Sequence, residues 1–306
     1  MRALIPDPTC TGNVRFSDVA DITEIGPDQV LIEVTAFSVN RGETFLLEDP
    51  ADDWRPGKDV AGTVVANGNP DSGPNVGARV VAHPPSGGWA ERVVVDKESV
   101  CELPDNLSDV DAAALPLAGI TAIRLARRAG FAAGTDILIT GASGGVGHHL
   151  TQLLGRVGAH VTVVVRDESR GAELRGYGAD VRTSVPEDKA FDIVYESVGG
   201  ATFSSAASTL RPGGKLVWFG QASKEPVTIN FFDFLTGAPE VVIEHFSYAE
   251  EGPYTSDLST LVELAAAGTV TAHVGVVSDW CKTGEVLENL VDRQISGSAV
   301  LQIERS

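Results

Sequence analysis

Ala142-Ser143-Gly144-Gly145-Val146-Gly147 stands between an apolar run, DILIT (136–140), and a helical stretch, 145–157. Gly144 would let a backbone approach a pyrophosphate, and Gly147 would let the helix pack on the strand before it. The helix N-terminus would then meet phosphates with free N–H groups and the positive end of its dipole. Ser143, Gly144, Gly145, Val146 and Gly147 are therefore candidate cofactor-binding residues. A glycine string alone is a weak signal, and here Ala142 replaces the first fingerprint glycine. The context strengthens it: the turn follows a strand, opens a helix and reaches a second strand, HVTVVV (160–165), on schedule. Nineteen positions beyond Gly147 stands Arg166. An acidic residue is expected there when a ribose 2′-hydroxyl is bound. A guanidinium instead pairs with a 2′-phosphate through charge-assisted hydrogen bonds. Arg170 could add a second positive charge and Ser169 a hydroxyl, so the expected cofactor is NADPH. Asp167 complicates this, because a shift of one residue would place a carboxylate at the ribose.

Other chemistries find less support. The same turn contains Thr140-Gly141-x-x-x-Gly145-x-Gly147, the short-chain dehydrogenase signature, which also requires a Tyr-xxx-Lys pair. The four tyrosines, Tyr177, Tyr195, Tyr248 and Tyr254, are followed four residues on by Val181, Gly199, Gly252 and Leu258. That reading fails. The adjacent His148 and His149, early in the helix and on different faces, read as surface or cofactor-edge residues. Cys10, Cys101 and Cys281 are too few and too scattered for a disulfide framework or a CxxC metal site, which suits a reducing cytoplasm. The net charge of −19 makes nucleic acid and anionic lipid poor partners. No apolar stretch approaches 18 residues, and the N-terminus lacks the run of a signal peptide.

The elements that must carry these residues change character along the 306-residue chain. Up to about residue 107 it reads as short strands set off by Gly, Pro or Asn: QVLIEVTAF (29–37), DVAGTVVANG (59–68), GARVVAH (77–83) and WAERVVVD (89–96). Ser108 with Asp111 resembles a capping box and opens a helix, and GITAIRLARRAG forms another, closed by Gly130. Strict alternation follows. The strands are DILIT, HVTVVV, FDIVYES (191–197), KLVWFG (215–220) and VVIEHF (241–246), with a short one at 180–183. The helices are 145–157, 169–177 and 200–209. This pattern predicts a parallel sheet covered on both faces. The tail returns as a helix (256–267), a strand (272–277), a helix (282–292) and a last strand (298–303).

Several motifs together resemble the zinc-free medium-chain dehydrogenase/reductases of the quinone oxidoreductase (zeta-crystallin-like) group. They are SVNRGE (38–43), PGKDVAGTV (56–64), GGWAERVVV (87–95), LPLAGITA (115–122), ASGGVG (142–147) and FDIVYESVGG (191–200). The resemblance implies a GroES-like, partly open β-barrel, residues 1–112 and 268–306, interrupted by a Rossmann NADP-binding domain, residues 113–267. It also implies that Asn40 and Thr121 line the nicotinamide end of the cofactor. Ser197, Val198 and Gly199, with Gly220 and Gln221, would pass over the ribose and nicotinamide.

Zinc-dependent relatives carry Cys where this chain has Asn40, and His-Glu where it has Lys58-Asp59. No Cys, His or Asp falls near Leu117 and Ala118, where the next ligand would be, so no metal is expected. Without a Lewis acid, hydride transfer to a quinone or an activated double bond is the less demanding chemistry. Lys58 could stabilise an enolate or be a solvated surface residue, and Asp59 reads as structural. No tyrosine is expected in the barrel half, so solvent is the expected proton source. Phe45, Trp54, Phe231 and Phe232 could wall an apolar substrate pocket or pack in a core. Three readings remain: an NADPH-dependent quinone or enone reductase, an enoyl-thioester reductase of a biosynthetic pathway, and a non-catalytic NADPH-binding structural or sensory protein. The apolar edge VVIEHF predicts a homodimer.

Overall fold

A computed structural model of the chain describes residues 1–130, 133–236, 239–250 and 253–304. The chain forms two compact units, Met1–Ile120 with Gly252–Ser306, and Thr121–Glu251.

The first unit opens with a hairpin of β1 (Arg2–Pro6) and β2 (Val14–Asp18). The long strand β3 (Gln29–Val39) leads into a one-and-a-half-turn helix, α1 (Arg41–Leu46). Then come β4 (Val60–Asn67), β5 (Arg79–Ala82), β6 (Arg92–Asp96), β7 (Val100–Glu102) and α2 (Asp109–Ala113). Ser108 caps α2, its hydroxyl accepting from the Asp111 N–H at 3.1 Å. Helix α3 (Pro116–Arg128) begins in this unit. The second unit carries β8 (Asp136–Ile139), α4 (Gly145–Arg156), β9 (His160–Val164), α5 (Ala172–Gly176), β10 (Asp180–Arg182), β11 (Phe191–Glu196), α6 (Gly200–Ala207), β12 (Leu210–Trp218), α7 (Phe231–Thr236) and β13 (Val242–His245). The tail adds α8 (Thr255–Ala266), β14 (Val274–Asp279), α9 (Thr283–Val291) and β15 (Ser298–Gln302) to the first unit.

In the first unit the strands run β14-β15-β3-β4-β5-β7, with β6 also on β3. Every pair is antiparallel except β14 with β15. Valines and isoleucines of β3, β4 and β5 enclose a core around Phe37 and Trp89, which stack with ring centroids 5.7 Å apart. The Trp89 indole N–H donates to the Ser38 carbonyl at 3.1 Å, so its burial leaves no polar atom unsatisfied. Losing a ring of this size from a packed core costs about 3–5 kcal/mol.

The second unit is one parallel sheet in the order β10-β9-β8-β11-β12-β13. In chain order that is 3-2-1-4-5-6, the arrangement of a doubly wound dinucleotide-binding sheet, with its switch point between β8 and β11. The continuous apolar runs read from the sequence follow from this position, since Ile137, Leu138, Ile139, Val194, Tyr195, Leu216 and Val217 are all buried.

Some sequence expectations are corrected. The stretch 169–177 is a 3-10 turn, Glu168–Gly171, followed by the five-residue α5. Strand β12 starts at Leu210, ahead of KLVWFG. His148 and His149 are both buried within α4, against the surface reading. His148 lies under the chain that follows, its ring edge-on to Tyr177 and its Nδ1 3.9 Å from Glu173.

Candidate active site

Asp59, immediately before β4, is buried and accepts from four donors. Its Oδ2 takes the Ser38 hydroxyl at 2.9 Å and the Asn40 amide Nδ2 at 2.7 Å. Its Oδ1 takes His83 Nδ1 at 3.0 Å and the Leu117 N–H, in the first turn of α3, at 3.0 Å. The Leu117 N–H is one of the orphan donors of a helix start. The carboxylate therefore ties β3, the end of β5 and α3 to the side chain of Asn40, which agrees with a structural reading of Asp59.

A second buried carboxyl flanks Asn40, and sequence reasoning missed it. Glu43, on α1, accepts the Asn40 backbone N–H at 3.1 Å on Oε2 and the Gly57 N–H at 2.8 Å on Oε1. Burial, and next the neighbouring Asp59 charge, push the Glu43 carboxyl up to about 8, while the two backbone donors and Lys58 pull the other way. The signal that could have found it is the Asn-x-x-Glu spacing of a capping box, Asn40 to Glu43. Lys58 is half-buried. Tyr254 belongs to this unit, against the expectation that the barrel half holds no tyrosine, and its ring is edge-on to His83 at 4.9 Å. Trp54 packs against the barrel core, and Phe45 is exposed on α1.

In the second unit, the glycine turn joins β8 to α4 at the switch point of the sheet. Each glycine has a separate reason to be there. A Cβ on Gly147 would stand 2.5 Å from both Cα and O of Ala142, so the first turn of α4 lies directly against the turn before it. A Cβ on Gly144 would meet only the Gly141 carbonyl, at 3.6 Å, and open space otherwise. The exposed face of Gly144 is thus the one from which a ligand can reach the backbone, and the 12-residue α4 directs its first N–H groups there. Ser143, Gly145 and Val146 are half-buried around it.

Beyond β9, Arg166 is exposed. Asp167 is turned into the chain. Its Oδ1 accepts the Ser169 N–H at 3.1 Å and the Ser169 hydroxyl, and its Oδ2 lies 3.4 Å from Arg170 Nε. The Ser169 hydroxyl holds the Asp167 carboxyl well below the usual carboxylate range.

The loops after β11 and β12 form one piece. Gly220 backs onto Ser197, where a Cβ would stand 3.1 Å from the Ser197 carbonyl. The Ala222 N–H donates to Ser197 O at 2.9 Å, and the Ser223 N–H to Val198 O at 2.8 Å. Gln221 donates through Nε2 to Glu225 O at 2.8 Å, and Trp218 Nε1 to Gly220 O at 2.7 Å. Gly199 and Gly200 take φ of 79° and 54°, a left-handed stretch that glycine alone adopts without strain.

Thr121 Oγ1 is buried and has no hydrogen-bond partner among the described residues. Native proteins seldom leave a buried hydroxyl orphaned, so this one fits a group that a bound ligand completes. Together with the open Gly144 face, the free start of α4 and the exposed Arg166, it meets the requirements of a dinucleotide with a charged ribose. Phe231 and Phe232 are 67% and 71% exposed on α7, their rings edge-on to each other at 5.8 Å.

Comparison with known proteins agrees with this geometry. Residues 26–105 match the alcohol dehydrogenase GroES-like domain family, and residues 145–267 match the zinc-binding dehydrogenase family. The mouse quinone oxidoreductase is 30% identical over 235 residues, which cover 70% of each chain. The tomato 2-methylene-furan-3-one reductase is 33% identical over 258 residues, 77% of this chain and 65% of that one, so the present chain spans just under two thirds of its length. A mycobacterial protein solved in complex with NADPH superposes with a TM-score of 0.87 at 25% identity, covering 99% of this chain and all of the other. The architecture is that of a two-domain dehydrogenase, a GroES-like partly open barrel with a Rossmann sheet inserted. Within that class the chain belongs to the zinc-free quinone oxidoreductase group of the medium-chain dehydrogenase/reductases.

Proposed function

We propose that the chain is an NADPH-dependent reductase of quinones or α,β-unsaturated carbonyl compounds, working without zinc in a reducing cytoplasm and as a homodimer. The observation that carries the reading is the end of β9. Arg166 is exposed there, and the adjacent carboxylate, Asp167, is bonded to Ser169 and lies beside Arg170. A guanidinium at this strand position, where a carboxylate would bind a 2′-hydroxyl, suits a 2′-phosphate.

NADPH, when bound, supplies the hydride. The chain's own residues bind and orient. The backbone of Ser143–Gly147 and the start of α4 would take the pyrophosphate. Arg166, with Arg170 and Ser169 beside it, would take the 2′-phosphate. The joined loops of Ser197–Gly199 and Gly220–Gln221 would cover the ribose and nicotinamide. The Thr121 hydroxyl and the Asn40 amide are the side chains we assign to the nicotinamide end. Asn40 is held ready for that by Asp59 on its amide and Glu43 on its backbone. Lys58 is the candidate for stabilising developing negative charge on the substrate oxygen. The substrate is a small molecule, and the names of both curated relatives point to conjugated carbonyl acceptors. No described helix is long and apolar enough to cross a membrane, and the described cysteines are all free thiols.

The test is oxidation of NADPH with a panel of quinones, enones and enoyl thioesters, run with and without a strong chelator. The reading expects turnover of a quinone or enone at a rate the chelator leaves unchanged. Turnover that follows added zinc, or of the enoyl thioester alone, contradicts it.

A further inference from the structure

Glu196 ends β11 at the switch point, beside β8, and it is a completely buried carboxyl. Every contact it makes there is with a donor. Oε1 accepts the Val198 N–H at 2.8 Å, the Gly199 N–H at 3.1 Å and the Thr140 hydroxyl at 3.1 Å. Oε2 shares the Gly199 N–H at 3.2 Å. Thr140 closes the knot from β8, its hydroxyl accepting the Ser197 N–H at 3.0 Å and its carbonyl accepting the Ser197 hydroxyl at 3.1 Å. Three successive backbone N–H groups, those of Ser197, Val198 and Gly199, thus point inward at Thr140 and Glu196. Burial raises the Glu196 carboxyl, and the Val198, Gly199 and Thr140 donors oppose that shift. A buried acid at a site that costs desolvation is expected to have a task its neighbours cannot perform. Here the loop's glycines have φ values of their own choosing and no side chains, so they cannot hold the loop's shape.

We propose that Glu196 is a positioning residue: an internal anchor that fixes Ser197–Gly200 in the conformation that receives the cofactor before the cofactor arrives. The proposal rests on the reading of that loop as cofactor-covering. Preorganisation raises affinity by removing the ordering cost from the binding step. Glu196 works from beneath the loop and touches no ligand. The backbone bonds to Ala222 and Ser223 hold the same loop from its side and extend the fixed shape to Gly220–Gln221.

Two variants of similar length separate an anchor from a mere space-filler. Glu196→Gln keeps an oxygen where Oε1 accepts its three donors, whereas Glu196→Met keeps the bulk and no strong acceptor. The readouts are amide hydrogen exchange in the cofactor-free chain and the NADPH dissociation constant from nicotinamide fluorescence. Glu196→Met should expose the Val198 and Gly199 amides and weaken NADPH binding more than tenfold, with the β8 and β11 amides still protected. Glu196→Gln should stay within about threefold of wild type. A Met variant that keeps wild-type affinity, or keeps those two amides protected, overturns the proposal. Should the Met variant fail to fold, Thr140→Val removes the acceptor of the Ser197 N–H without changing side-chain shape, and unaltered exchange at Ser197 there overturns it equally. If wild type binds no NADPH, the cofactor reading fails while the exchange arm still decides the anchor.

Discussion

Arg166 and Glu43 show how differently two charged residues declare themselves. Arg166 is proposed by counting from the glycines, because a bound ribose sits a fixed distance along a βαβ unit. Arg166→Ala should cost NADPH use about 2 kcal/mol, the scale of a lost charged hydrogen bond, and leave NADH nearly untouched. Steady-state kinetics with both cofactors on wild type and variant check this. Equal losses, or a wild type that favours NADH, contradict it. Glu43 can be identified only once burial is known. Its carboxyl is raised to about 8, so between the ordinary carboxyl value and about 8 the native state keeps a proton that the unfolded chain releases. Stability therefore falls as pH rises through that window. Glu43→Gln has no such proton. Urea unfolding at about pH 5 and about pH 8 should show wild type losing more stability than the variant. Parallel losses would show that Glu43 does not titrate there. The sequence singles out the glycines and Arg166 as candidates by spacing, and Asn40 through the family resemblance. It does not single out Glu43, Glu196 or the contact of His83 with Asp59, because spacing along the chain does not reveal which polar groups a fold encloses together.

Among the elements, the long periodic segments were legible, and so were the short β10 and the Ser108-capped α2, whereas the β1–β2 hairpin and α1 were not. The strands of the parallel sheet appear as apolar runs because both faces are covered. The β1–β2 hairpin and the six-residue α1 are too short to show a period, and tertiary contacts hold them. The two buried histidines misled because polarity was read as exposure. The glycine turn yields a paired prediction at this scale. Gly147→Ala drives a methyl to 2.5 Å from backbone atoms of Ala142, so the variant should lose stability measurably in thermal unfolding. Gly144→Ala finds open space, with its backbone at φ −87° and ψ 168°, and should unfold like wild type. Its methyl would occupy the approach to the phosphate-binding N–H groups, so NADPH binding should weaken at least tenfold. Gly144→Ala binding NADPH normally would remove the pyrophosphate from this turn.

For the whole molecule, the open question of assembly turns on β13. Among the described residues this strand pairs only with β12 and forms the outer edge of the parallel sheet, with Val242 and Ile243 exposed. Phe231, Phe232 and Leu235 of α7 are exposed in the same unit. An apolar strand edge of this kind is a template for pairing with a second copy. Light scattering at micromolar concentration should give twice the 32.0 kDa chain mass, and Ile243→Lys should shift it toward one. A wild type of single-chain mass would leave the edge without this explanation. The acidic net charge of −19 opposes non-specific association and is unsuited to nucleic acid.

The proposed reaction is hydride transfer from NADPH to a conjugated carbonyl acceptor without a metal. The most direct measurement uses NADPH carrying deuterium at the transferable C4 position, with an α,β-unsaturated ketone and a chelator present, and product analysis by mass spectrometry and NMR. The account predicts one deuterium per product molecule, at the carbon β to the carbonyl, with the proton at the α-carbon drawn from solvent. Product without the label, or a label that appears only when zinc is restored, would contradict it.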